Sequence, residues 1–133
     1  MSFEPYAFLR MLAASIDRGE PYPGDEEVPE VAEDHPVFRA ATKGDSPRYP
    51  HLYFPELWLP CDFASTFEAA DLTGQRGPIG SSIRLLAELR DIEGRVDAAA
   101  PGGSDDGARY GLAVFLKLAE RSAAQRLPMR LDY

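Results

Sequence analysis

Several features are scarce in this chain of 133 residues, and each scarcity excludes a class of protein. Its single cysteine, Cys61, cannot form an internal disulfide, which is typical of a reducing cytoplasm. No apolar run approaches the roughly 18 residues that a membrane span requires, and the first residues lack the pattern of a signal peptide. We therefore expect a cytoplasmic protein that does not act at a membrane and that folds as one domain over residues 1–133.

The motifs of the common enzyme classes are also missing. The sequence contains no Gly-x-Ser-x-Gly, no His-Glu-x-x-His and no Cys-x-x-Cys. It has two histidines, His35 and His51, so a metal site would be short of nitrogen ligands. Nothing in the sequence places a base beside Cys61 to activate its thiol. These absences predict no catalytic residue, no metal and no cofactor, and they favour a non-enzymatic protein.

Negative charge is in excess, and most of it lies in one stretch. The net charge is −8 at pH 7, and residues 17–34, here called the acidic segment, contain eight acids and one arginine. A nucleic-acid-binding protein needs a basic surface, so this distribution predicts no nucleic-acid partner. It indicates a basic protein as the partner, although such a segment can also be a solvated loop that aids solubility. The candidate partner-binding residues are Asp25, Glu26, Glu27 and Glu30.

The stretch from Tyr49 to Phe63, here called the aromatic segment, contains the only tryptophan, the only cysteine and three prolines. Aromatic side chains bury large areas, so we expect this segment to lie through the middle of the core. The prolines exclude a long regular element. The pattern predicts a short buried strand at 57–59, preceded by an extended stretch at 52–54.

Three long stretches have apolar residues at helical spacing. They are residues 3–18, a stretch from Ser81 or Ser82 as N-cap to about Glu93, and residues from about 106 to 125. A shorter helix is predicted after Pro36. The prolines and Gly24 make residues 19–33 an acidic, proline-rich loop.

The remaining strand signal lies at the end of the chain. Apolar and polar residues alternate over 127–133, which is typical of a strand, and residues 57–59 are its expected partner. Residues 64–80 predict one helical turn followed by a loop. Together these elements predict an α+β domain, in which three or four helices pack against a small antiparallel sheet.

A second hypothesis is a small-molecule-binding or enzymatic domain. Its site would be a pocket with an apolar wall near Trp58 and hydrogen-bond donors at the Ser81/Ser82 helix start. The candidate residues of that pocket are His51, Tyr53, Trp58, Asp62, Ser81, Ser82 and Arg84. A third possibility is a homodimer whose interface is formed by the aromatic segment.

Two short motifs give the chain a resemblance to known sequences. They are Leu-Pro-x-Asp-Phe at residues 59–63 and Gly-Ser-Ser-x-Arg-Leu-Leu-x-Glu-Leu at residues 80–89. With them the chain resembles a small uncharacterised family of bacterial proteins that has no established activity, so the resemblance implies no catalytic residues. Small acidic proteins of this kind are sometimes immunity proteins of toxin systems, which is an analogy of class. The first hypothesis is therefore a non-enzymatic acidic interaction domain, such as an inhibitor or immunity-type protein.

Overall fold

The computed structural model describes residues 4–43, 47–70, 74–101 and 103–131 of the chain. Helices combine with a four-stranded sheet, which confirms the predicted α+β class. The helices are α1 (Glu4–Arg18), α2 (Pro36–Lys43), α3 (Pro50–Tyr53), α4 (Ser82–Glu93), α5 (Val96–Ala99) and α6 (Asp106–Gln125). The strands are β1 (Leu57–Leu59), β2 (Phe67–Ala70), β3 (Arg76–Ser81) and β4 (Met129–Arg130).

The long helices lie where the periodicity predicts them. Helices α1, α4 and α6 contain 15, 12 and 20 residues, and α2 contains eight. Two 3₁₀ turns, Asp25–Glu27 and Ala32–Asp34, lie between α1 and α2. Within the described ranges, no helix is both long enough and apolar enough to cross a bilayer.

The sheet has the strand order β2-β3-β1-β4 and is mixed. Strand β4 pairs antiparallel with β1, placing Met129 opposite Trp58, which confirms the predicted partner of the C-terminal strand. Strands β2 and β3 are also antiparallel, but β1 and β3 are parallel. The expectation of an antiparallel sheet is therefore wrong at this pair. The reason is that β2 runs back along the outer edge, so β3 enters between β2 and β1 in the direction of β1.

The prediction of a helical turn and a loop over residues 64–80 is also wrong. Residues 67–70 form β2 and residues from 76 onward form β3, while residues 71–73 lie outside the described residues. The local sequence gives little strand signal, because β2 is largely exposed and β3 contains two glycines and a proline. Pairing with a neighbouring strand decides the conformation here.

Much of the aromatic segment lies in the core, as predicted, although Phe54, Cys61 and Asp62 are exposed. Trp58 is fully buried, and its ring packs edge-on against Tyr6 of α1 and Phe115 of α6, with centroids 6.5 and 6.1 Å away. The rings of Tyr6 and Phe115 stack on each other at 5.1 Å. The indole N–H of Trp58 donates to the His51 carbonyl at 2.6 Å. The segment therefore joins the sheet to the two longest helices.

Helix α3 corrects the expectation of an extended stretch at 52–54. Pro50 takes its first position, where a missing N–H has no intrahelical partner to lose. Glu88 of α4 then caps the helix, since its Oε2 accepts from the His51 N–H at 3.1 Å and its Oε1 from the Leu52 N–H at 3.0 Å. Burial raises the pKa of Glu88 to about 8, against the lowering effect of these two donors.

Replacing Glu88 with Gln is expected to weaken the dependence of stability on pH. Between about pH 4.5 and 8, the folded protein keeps a proton at Glu88 that the unfolded chain releases, so the free energy of unfolding falls as the pH rises through this window. E88Q removes the titrating group. Urea unfolding at about pH 5 and pH 8 should then show a smaller difference between the two conditions than in the wild type.

The matched control is E93Q, at the exposed end of the same helix. It should retain the wild-type difference between the two pH values. An E88Q protein with an undiminished difference would contradict the assignment to Glu88.

Candidate functional site

The acidic segment runs from the last turn of α1 to the residue before His35, and turns rather than a long helix order its backbone. Its three prolines prevent a continuous helix. Gly24 adopts a φ of 103°, a conformation that favours glycine, directly before the turn Asp25–Glu27. The second turn, Ala32–Asp34, leads the chain into α2. The segment therefore presents its carboxylates from a defined backbone.

Asp25 is half-buried and binds to the start of α6. Its Oδ2 accepts a hydrogen bond from the Gly107 N–H at 2.7 Å, and its Oδ1 accepts one from the Tyr22 hydroxyl at 2.7 Å. Its own N–H donates to the Ser104 carbonyl at 2.7 Å. A carboxylate is also favoured at this place by the dipole of α6.

Glu33 is held at the other end of the segment by Arg10 of α1. The Nη2 of Arg10 donates to Glu33 Oε1 at 2.7 Å and to the Tyr53 carbonyl at 2.8 Å. The guanidinium lies over the rings of Tyr6 and Phe38, at 5.0 and 4.6 Å from their centroids. Burial acts to raise the pKa of Glu33, but the Arg10 hydrogen bond, a backbone hydrogen bond and the positive charge of Arg10 together outweigh it and leave this pKa below its usual value.

Asp17, in the last turn of α1, binds the beginning of the aromatic segment. Its Oδ2 accepts from the Tyr53 hydroxyl at 2.9 Å and from the Arg48 N–H at 3.1 Å. Burial and the neighbouring Asp17 charge raise the pKa of the Tyr53 hydroxyl, which therefore stays protonated and able to donate. Three acids of the segment thus bind within the protein.

The other five acids of the segment are exposed, and their carboxylates make no hydrogen bond or ion pair with any residue that the structure describes. They are Glu20, Glu26, Glu27, Glu30 and Asp34. Their negative charges repel one another, and a positively charged partner would relieve that repulsion. Val31, which is 51% exposed, lies among them.

Elsewhere the arginines neutralise many of the acids. The ion pairs outside the segment join Arg84 to Asp62, Arg48 and Arg95 to Asp91, and Arg109 to Asp97 and Asp105, with distances of 2.6 to 3.3 Å. These pairs are largely exposed, so each contributes little to stability. Their effect is on the charge distribution: the free negative charge is concentrated in the acidic segment.

The predicted partner-binding residues include exposed acids of the segment and one acid that binds within the protein. Glu26, Glu27 and Glu30 lie on the exposed surface, whereas Asp25 binds α6. Glu20 and Asp34 share the free, exposed character but were not among the candidates. In the sequence, the acids that bind within the protein and the acids that are exposed have the same charge and similar spacing, so the sequence does not distinguish them. The binding role of the four candidates stays a prediction.

The residues of the predicted small-molecule pocket are mostly buried and bonded to one another. Tyr53, Trp58, Ser81 and Ser82 are fully buried. The Ser81 hydroxyl donates to the Cys61 carbonyl at 2.6 Å and accepts from the Arg84 N–H at 3.1 Å, which confirms Ser81 as the N-cap of α4.

His51 is also buried, and both of its ring nitrogens have partners. Its Nδ1 accepts from the Ser81 N–H at 2.9 Å, so Nε2 has the proton and donates to the Ala64 carbonyl at 2.8 Å. Burial lowers the pKa of His51, which favours this neutral form. Asp62 is exposed and pairs with Arg84. The polar groups of this set are thus used within the protein, and their ligand-binding role stays a prediction.

The described residues form no candidate metal site. In residues 4–43, 47–70, 74–101 and 103–131, no group of three or more histidine, cysteine, aspartate or glutamate side chains is placed to hold a metal ion. Cys61 is exposed. The feature of the surface that distinguishes this protein is therefore the acidic segment.

A family model matches most of the chain. The model of a family described as "Putative DNA-mimic protein" matches residues 1–113, a stretch that includes the whole acidic segment. No curated protein and no solved structure matches the chain. The match assigns to the chain an acidic protein-interaction function that does not involve enzyme activity.

The match also corrects one prediction about partners. The acidity of the chain predicts no nucleic-acid partner, and the match to a DNA-mimic family contradicts that prediction. A DNA mimic presents negative charge in place of nucleic acid, so the acidity that prevents DNA binding is the property in which it resembles DNA. A basic protein as the partner is compatible with this finding.

Proposed function

The chain belongs to the family of DNA-mimic proteins, and from this membership we propose that it binds a DNA-binding protein at the surface which that partner uses for DNA. The contact is made by the acidic segment. Because one surface of the partner cannot hold both the mimic and DNA, binding inhibits the partner. The immunity-type interpretation is the narrower form of this proposal, in which the partner is a toxin.

The observation that supports the proposal is the division of the acids in the segment. Glu20, Glu26, Glu27, Glu30 and Asp34 are exposed and lack partners among the described residues, while the other three acids fasten the segment to the protein. A segment that only aided solubility would not need such fastening. The free carboxylates therefore form an array of negative charge on a fixed backbone.

The physical basis of recognition is charge complementarity. The phosphates of DNA are a regular array of negative charges, and DNA-binding proteins meet them with lysine and arginine side chains. An acidic surface attracts the same side chains, and this attraction accelerates association more than it strengthens the final complex. Val31 adds an exposed apolar side chain among the carboxylates, and protein–protein contacts bury apolar area at their centre.

The proposal predicts that the protein displaces a DNA-binding protein from DNA. Proteins from a bacterial lysate are bound to immobilised double-stranded DNA, and the purified chain is added at low salt. We expect it to elute a specific protein, identified by mass spectrometry. The variant E26Q/E27Q/E30Q should require about tenfold more protein for the same elution, because it loses three exposed charges at the contact.

The matched control is E68Q/E93Q/E120Q, which changes three exposed and unpaired acids of β2, α4 and α6. Both triple variants have a net charge of −5 in place of −8. The control should elute the partner as the wild type does. Equal losses in the two variants would show that overall charge, and not the acidic segment, causes the displacement.

Salt should weaken the interaction for the same reason. For the purified partner, raising the salt concentration from about 50 to 200 mM should slow association and leave the dissociation rate nearly unchanged, because exposed charges steer the encounter and are screened by ions. Surface plasmon resonance measures both rates. The E26Q/E27Q/E30Q variant should show a shallower salt dependence of its association rate, and an unchanged dependence would argue against the acidic segment as the contact.

A further inference from the structure

We propose that Asp25 is a positioning residue, which holds the acidic segment in its binding conformation and does not itself contact the partner. This inference rests on the proposed function and assigns a different role to one of its acids. In it, the carboxylates of Glu26, Glu27 and Glu30 face the partner, while the carboxylate of Asp25 fixes the backbone from which they extend. The acidic surface is therefore formed before the partner arrives.

The first argument is the capping of α6. Asp105 stands at the N-cap position of this helix, but its side chain makes no capping hydrogen bond and binds Arg109 Nε at 2.6 Å instead. The capping function passes to Asp25, whose Oδ2 accepts from the Gly107 N–H in the first turn at 2.7 Å. Asp25, which is 82 positions away from Gly107, thus accepts a hydrogen bond from a free N–H group at the start of α6, and the same bond holds Asp25 in place.

The second argument is the closeness of the fit around Asp25. A Cβ atom built on Gly107 would overlap the Phe8 ring and would also crowd Asp25 Oδ2 at 3.0 Å, so the overlap with Phe8 favours glycine at this position beside the carboxylate. On the other side, a Cβ atom on Gly24 would lie 3.4 Å from Ser104 Cβ. The turn Asp25–Glu27 is therefore packed directly against the loop that precedes α6.

The third argument is the role of Tyr22, the second partner of the Asp25 carboxylate. Its ring is buried, and its N–H donates to the Ala99 carbonyl at 2.8 Å. Burial and the hydrogen bond to Asp25 raise the pKa of the Tyr22 hydroxyl, which therefore remains a donor. Each oxygen of Asp25 thus accepts a hydrogen bond from the protein itself, which orients the carboxylate toward Tyr22 and Gly107.

A fixed backbone matters because an ordered surface binds with a smaller entropic cost. The free acids of a mobile loop would have to be ordered as the partner binds, which weakens the complex. DNA is a relatively stiff polymer, so a protein that replaces it on a partner gains from holding its charges in fixed positions. Loss of Asp25 or of its hydrogen bonds should therefore weaken binding because the carboxylates of Glu26, Glu27 and Glu30 are no longer held in position.

The main test compares Y22F with Y49F. Each removes a tyrosine hydroxyl that donates to an aspartate, to Asp25 at 2.7 Å and to Asp91 at 2.6 Å respectively, and neither changes the net charge. The cationic probe is a fluorescein-labelled nonaarginine peptide, and anisotropy gives its Kd. We expect Y22F to bind about two- to tenfold more weakly than wild type, the range that one hydrogen bond supports.

Y49F should bind the probe like the wild type, even where its thermal stability falls as far as that of Y22F. Hydrogen exchange provides a readout that needs no probe: in Y22F, the amides of Asp25, Gly107 and residues 26–28 should exchange about two- to tenfold faster. In Y49F they should not. Equal binding and equal exchange in the two variants at these sites would overturn the inference.

A second pair, D25N and E26Q, separates positioning from direct contact. Each removes one negative charge, and D25N also leaves a single side-chain oxygen for two donors, the Tyr22 hydroxyl and the Gly107 N–H. We expect D25N to accelerate exchange at Gly107 and to weaken probe binding more than E26Q does. If D25N and E26Q weaken binding equally and exchange at Gly107 stays at the wild-type rate, Asp25 is a contact residue and the inference fails.

The two proposals can fail separately. If the wild type displaces no protein from DNA while Y22F still loosens the segment and weakens probe binding, the proposed function is wrong and the positioning role of Asp25 stands. If displacement occurs but the exchange of the segment is the same in wild type, Y22F and D25N, the positioning role is wrong and the proposed function stands.

Discussion

The burial of Trp58 is the constraint on which the rest of this structure depends. Its ring lies between the sheet and the stacked rings of Tyr6 and Phe115, and its N–H must find an acceptor because it is buried. The His51 carbonyl provides that acceptor at 2.6 Å. Since His51 also binds Ser81 and Ala64, one aromatic residue fixes the relation between β1, α3, the start of α4 and the loop after β1.

Helix α1 extends this arrangement from the core to the acidic segment. The Tyr6 hydroxyl donates to carbonyls of the aromatic segment, and Arg10, one turn further along, binds both the Tyr53 carbonyl and Glu33. Within the segment, Asp25 binds the start of α6, which packs against α1. The acidic segment is thus a surface of the fold rather than a tail attached to it, and its free carboxylates have places set by the core.

Net charge by itself is an ambiguous signal, and this chain shows why. An acidic composition excludes a protein that binds DNA, and the same composition is required of a protein that replaces DNA on a partner. An acidic protein without a DNA-related role and a protein that mimics DNA can have the same net charge. The arrangement of the exposed carboxylates is what distinguishes them. Here, five exposed acids without partners among the described residues share a segment with three acids that hold it in place.

Elements whose signals are local can be predicted from the sequence alone. Apolar periodicity gives α1, α4 and α6, the aromatic segment gives the core and β1, and Ser81 gives the cap of α4, because each depends on residues within a few positions of one another. The concentration of charge in residues 17–34 is equally a property of the sequence.

Strands β2 and β3, the helical turn of α3 and the roles of individual acids depend instead on long-range contacts. Strands with glycine, proline and exposed residues form because a neighbouring strand satisfies their backbone groups, and α3 forms because Glu88, 36 and 37 residues away, accepts its first N–H groups. Asp25 and Glu26 are adjacent and alike in chemistry, yet one caps α6 and the other faces solvent. That difference depends on contacts between residues far apart in the chain, which no local pattern encodes.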